Sequence, residues 1–150
     1  MSESNIGLFP VNLTIANGLI GGPTLYLDLL VNAATGAITG SGRISRALAP
    51  PWGDLPIPDI SGQMEIVGTP TAERLLRVMG RYGIPFGPPP LLGHIEALMT
   101  MACAVEFATW NGKGGFSYGP HAEHRATNCV VTKVGPDADV KVGTLDTVPA

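Results

Sequence analysis

The sequence predicts an all-β fold, an antiparallel barrel or sandwich of roughly seven to nine strands with room for one short helix. Three observations carry this. Apolar and polar residues alternate through most of the chain, in runs of strand length. The 20 glycines and 14 prolines cluster between those runs, where a chain of strands needs its turns. A few glycines, Gly40, Gly42, Gly62 and Gly68, sit inside the runs instead. Glycine within a strand marks the bulges and bends that curl a sheet.

The clearest unit is Thr24–Ala47. Leu25, Leu27, Leu29 and Val31 alternate with Tyr26, Asp28, Leu30 and Asn32, which gives a strand one apolar and one mixed face. The turn Ala33-Ala34-Thr35-Gly36 ends in the glycine that a type I turn with a bulge calls for. The return strand places Ile38, Gly40, Gly42 and Ile44 on one face. Asp28 among leucines needs a partner if its face is buried, and Arg43 or Arg46 on the neighbouring strand can supply it.

The other elements follow in order. Leu8–Ala16 alternates and forms a first strand. Leu48–Pro58 holds four prolines and Trp52 and reads as an extended loop. Asp59–Thr69 alternates again. Pro70–Gly83 fits a helix as well as a strand: Thr69-Pro70 resembles a helix start, yet Leu76, Val78 and Tyr82 alternate with Arg77, Met79 and Arg81. Ile84–Leu92 is a second proline-rich loop, carrying Phe86. Ile95–Phe107 is the longest alternation, and its length predicts a bend or bulge, although its Ala and Met content would also suit a helix. Asn111-Gly112-Lys113-Gly114 reads as a hairpin turn before Phe116–Tyr118, and Asn128–Val134 closes the sheet. Residues 1–136 make one β domain and residues 137–150 a C-terminal tail.

Two stretches carry a family resemblance. Gly22-Pro23-Thr24-Leu25-Tyr26-Leu27-Asp28-Leu29-Leu30-Val31-Asn32, with Gly40-Ser41-Gly42 after the turn, resembles the opening of a bacterial family catalogued as domain of unknown function 1842. Trp110–Tyr118, an aromatic, a polar glycine turn and an aromatic strand, is similar to that family's late hairpin. The resemblance spans about Gly7 to Val134 and implies no catalytic residue, because the family has no assigned function.

Composition narrows the function. Hydrophobic residues make up 45% of the chain and charged residues 14%, against about a quarter charged in an average domain. Such a surface predicts self-association first, then another partner, then a membrane-facing state. The nine Lys and Arg are scattered on a chain of net charge -3, which argues against nucleic acid. The start MSESNIGLFP lacks a secretory pattern, so the expected setting is cytoplasmic, or exported without a recognisable signal peptide. Cys103 and Cys129 are expected to stay reduced, and no cofactor is implied.

Candidate chemistry is sparse. Trp52, Tyr82, Phe86, Trp110 and Tyr118 lie in or beside loops. Rim aromatics of a small β structure clamp a sugar or an apolar ligand, although aromatics beside prolines also simply pack the loops down, which is the favoured reading. His121, Glu123, His124 and Cys129 are metal-ligand types, but the loop context and incomplete set argue for no metal site. His94 and Glu96 share a segment without a nucleophile to serve. Phosphate-cradling, zinc-protease and hydrolase motifs are missing. The expected function is therefore a non-enzymatic binding or assembly module. A membrane-active or toxin-like component and a metal-dependent enzyme using His121–Cys129 are the alternatives.

Overall fold

A computed structural model describes residues 7–47, 53–68, 73–86 and 93–134. Eight antiparallel strands close into a barrel in simple up-and-down order. They are β1 (Leu8–Ala16), β2 (Thr24–Asn32), β3 (Ala37–Ser45), β4 (Asp54–Val67), β5 (Glu73–Phe86), β6 (Gly93–Glu106), β7 (Gly112–Tyr118) and β8 (His124–Lys133). No helix occurs among the described residues. The ring closes where β8 pairs with β1, Leu13 opposite Lys133 and Ala16 opposite Val130. An eight-stranded barrel is just narrow enough for inward side chains to fill it, and its inward residues form one apolar core from Val11 to Val131.

The organising hairpin forms as the alternation requires. Leu25, Leu27, Leu29 and Val31 are buried, and Ile38 and Ile44 face them from β3. Asn32 Oδ1 accepts from the Ala34 and Thr35 amides at 2.9 and 3.2 Å, and Gly36 takes a positive φ of 80°. Asp28 is exposed on the outer wall and needs no partner. Arg43 instead pairs with Asp54 at 3.1 Å and lies over the Tyr26 ring.

The structure extends or moves several elements. Of the ambiguous Pro70–Gly83, residues 70–72 lie outside the described residues and Glu73–Gly83 is strand: β5 runs from Glu73 through Phe86, beyond the expected loop start at Ile84. It pairs with β6 over all 14 residues without a register shift, so no bulge interrupts that ladder in Ile95–Phe107, where the length predicts a bend or bulge. Asp54–Pro58 is strand rather than loop. Its two prolines face outward, and the β5 ladder begins only at Asp59, so one edge there requires no donor. The β6–β7 connection lies at residues 107–111, ahead of the expected turn, and Gly112 already belongs to β7. The expected tail, residues 137–150, lies outside the described residues.

Two bulges lie in the β3–β4 and β7–β8 ladders. Gly40 pairs with Ile60 but Gly42 with Ile57, so β4 carries one extra residue. Inward residues change from Leu55 and Ile57 to Ile60 and Met64 across it. Likewise Gly114 pairs with Cys129 but Phe116 with Ala126, which puts the extra residue in β8. Asn128 adopts a φ of 56° there, a left-handed conformation asparagine tolerates better than most residues. A bulge re-aims side chains by one position, so each strand keeps its apolar face inward while its sequence parity flips.

Inward glycines set how close the walls come. A Cβ at Gly62 would overlap the Arg77 carbonyl and Val78 on β5, whereas one at Gly68 meets nothing within 4 Å. Gly62→Ala is expected to lower stability by about 1–3 kcal/mol through overpacking, with Gly68→Ala near neutral, as read by denaturant unfolding.

Candidate functional site

The barrel has two mouths. One is framed by the connections after β1, β3, β5 and β7, the other by those after β2, β4 and β6. The five sequence-predicted aromatics do not form one surface. Tyr82 and Tyr118 come together at the first mouth, and Trp110 closes the second. Trp52 lies outside the described residues, as does the Phe86 side chain, although the Phe86 backbone ends β5 at the first mouth.

At the first mouth Tyr82 and Tyr118 are each only 4% exposed. The Gly119 amide donates to the Tyr82 hydroxyl at 2.9 Å. Burial pushes both phenols above the ordinary tyrosine range, and the Arg46 charge partly opposes this. The Arg46 guanidinium lies 5.8 Å from the Tyr118 ring centroid, and the His124 imidazole stacks on the same ring at 4.9 Å. Glu123 Oε1 accepts from the His121 amide at 2.8 Å, which with a second backbone amide holds its carboxyl below the usual range. This mouth is a tyrosine-floored polar cap whose groups are mutually engaged.

The second mouth is plugged. Arg74 points inward from β5 and its guanidinium carbon lies 4.1 Å from the Phe107 ring centroid and 4.3 Å from that of Trp110. Its Nε donates to the Phe107 carbonyl at 3.2 Å, and Phe9 meets Trp110 edge-on at 5.8 Å. Cation–π contacts of this kind strengthen as water is excluded. The rim around the plug presents large apolar residues, Leu8, Ile66, Val67 and Phe107, each 41–52% exposed, alongside the exposed carboxylates of Glu73 and Glu106.

The metal-type residues are dispersed. Cys129 is fully buried in the core, whereas His121, Glu123 and His124 are exposed. His124 Nε2 and Glu123 Oε2 stand 4.0 Å apart, and no group of three ligand-type side chains assembles among the described residues. Glu96 pairs with Arg81 at 3.6 Å on the outer wall, and the His94 side chain lies outside the described set. Both thiols are free and buried, and burial pushes Cys103 up to about 12 and Cys129 upward as well.

Sequence reading missed a recess on the outer wall. Ala102 and Ala104 of β6 and Gly114 and Gly115 of β7 leave two adjoining open cavities of about 320 and 480 Å³. Both are lined by Arg77 and Ala102. The signal lies in the small outward residues of β6 and the glycines of β7, but in sequence those glycines fit a hairpin turn equally well.

A family model described as Domain of unknown function (DUF1842) matches residues 6–123. The chain belongs to this family. The match ends one residue before β8, so the strand that closes the DUF1842 barrel here lies beyond it. A search of curated proteins finds no match.

The buried phenols and thiols make two testable predictions. A raised phenol pKa means the folded state keeps protons that the unfolded chain loses. The tyrosine contribution is therefore complete below the ordinary value of about 10 and declines as pH rises through the elevated folded values. Phenolate absorbance should show Tyr82→Phe and Tyr118→Phe each removing a late-ionising group. An aromatic disulfide reagent at neutral pH should label neither cysteine in the folded protein and both in denaturant.

Proposed function

We propose that this DUF1842 protein is a non-enzymatic barrel module that works by binding and assembly through its outside, in a homo-oligomer. The carrying observation is the cluster of exposed large apolar residues at the plugged mouth. Ile66, Val67 and Phe107 surround Arg74, and Leu8 stands beside Phe9. A second copy burying this rim, most simply across a two-fold axis, removes it from water. The site chemistry supports a non-catalytic role. The thiols of Cys103 and Cys129 and the phenols of Tyr82 and Tyr118 are held protonated at neutral pH, and His121 and His124 lie on the surface.

The membrane-active reading has less support. A transmembrane barrel turns its apolar residues outward and lines its lumen with polar ones. Here the apolar residues fill the interior, while Asp28, Arg43, Arg77, Arg81 and Arg125 face outward. The metal-dependent reading has less still, with Cys129 in the core and the two histidines outside it. A small apolar or sugar ligand at the mouth floored by Tyr82 and Tyr118 is compatible with the binding role.

Light scattering at micromolar concentration should give a mass above one chain. Phe107→Asp with Ile66→Asp, at exposed positions, should reduce it to one chain with an unchanged β circular-dichroism spectrum. A strict monomer overturns the assembly reading, and dye release from liposomes at low protein-to-lipid ratio would favour membrane activity.

A further inference from the structure

The outer-wall recess lies on the outward face of β5 to β8, whereas Arg74 of the plug turns inward from β5, and the smaller cavity's lining is chemically one-sided. Five outward positions frame the smaller cavity: Arg77 on β5, Thr100 on β6, Ser117 on β7, and Arg125 and Thr127 on β8. The lining includes two guanidinium groups, three hydroxyls and no carboxylate. Neither Arg77 nor Arg125 makes an ion pair among the described residues, in contrast to Arg43 with Asp54 and Arg81 with Glu96. Thr100 and Ser117 hydroxyls lie 2.8 Å apart, one donating to the other, which leaves the donor's lone pairs and the acceptor's proton for a ligand.

The floor keeps this space open. Ala102 projects only a methyl group, and Gly115 projects nothing. The β8 bulge brings Arg125 onto the outer face opposite Ser117, beside the Ser117–Thr100 pair. A second cavity continues past Arg77 to Lys113, adding a third cation, with Glu65 as its acid. On a chain of net charge -3, two arginines without an ion pair among the described residues line one recess and give it a local positive field. Guanidinium forks match the paired oxygens of carboxylate, sulfate or phosphate.

We propose that this recess binds a compact oxyanion carried by a small organic molecule. Arg77 and Arg125 hold the anionic group, the hydroxyl of Thr127 and whichever of Thr100 and Ser117 keeps its proton free donate further hydrogen bonds to it, and the molecule's body lies over Ala102 toward the second cavity. This deepens the binding half of the proposed function and does not depend on the assembly half.

The test titrates the full chain by calorimetry with inorganic phosphate, inorganic sulfate and glucuronate, using glucose as the uncharged counterpart of glucuronate. At least one anion should bind saturably, and glucose should not. Arg77→Gln and Arg125→Gln should each weaken binding tenfold or more. Ala102→Leu should weaken glucuronate more than the inorganic ions, because it occupies the floor. Arg81→Gln, outside the recess, should leave every affinity unchanged, and circular dichroism should confirm that each variant folds. The three anions distinguish a carboxylate site from a sulfate or phosphate site. No saturable binding of any of them overturns the proposal, as does affinity retained in the Arg77→Gln/Arg125→Gln double variant. An oligomer that binds no anion sinks this site and spares the assembly reading. A monomer that binds one does the reverse.

Discussion

Closure is the constraint from which the rest follows. Eight strands that meet themselves leave no free edge along the closing ladder, and every strand must then hold one face inward along its whole length. A strand whose apolar residues slipped by one position would place them in water and polar groups in the core. The two bulges reconcile local sequence with this demand. In β4 and β8 the apolar residues change parity, and the extra residue in each strand restores them to the interior. The bulged strands stand four apart in the ring, so the two irregularities fall on opposite sides of the barrel.

A filled interior pushes interaction chemistry to the ends and the outside. The core from Val11 to Val131 occupies the lumen. One mouth is stoppered by Arg74 among three aromatic rings, the other by two buried tyrosines under a polar cap. Arg74 remains compatible with the apolar plug because ring faces and a backbone carbonyl take the place of water around its guanidinium. Its desolvation lowers its pKa from the free value but leaves no competing acid–base role among these contacts. The low proportion of charge on the chain reflects this division of labour, with few charged groups outside and none but Arg74 turned into a mouth from β5.

The small residues of β6 and β7 serve the two sides of the wall differently. Gly112 and Gly114 face inward, where an added Cβ would overlap β6, so they let the wall come close to the core. Ala102, Ala104 and Gly115 face outward and thin the wall from outside. A thin wall on both faces produces a recess without opening the lumen. The barrel thus keeps its packing while gaining a concave exterior, a shape that a convex cylinder otherwise lacks.

Sequence alone determined the strand class, the first hairpin with its Gly36 turn, the inward faces of β1, β2, β3 and β6, and the family resemblance. Those segments alternate without interruption, and a period of two is a local property. Tertiary structure decided the rest. Asp54–Pro58 became strand because an outward face and a one-sided ladder tolerate its prolines, which no local pattern states. Glu73–Phe86 became strand because it lies between β4 and β6, which claim both of its edges. His124–Thr127 joined β8 across a bulge that breaks the alternation there. The grouping of side chains was beyond local reading as well. Tyr82 meets the Tyr118 end of the barrel through a bond to Gly119, 37 residues away, while Trp110 goes to the opposite mouth, because strand direction reverses at every turn. Arg77 and Arg125 share one recess only because β5, β6, β7 and β8 lie side by side in the closed sheet.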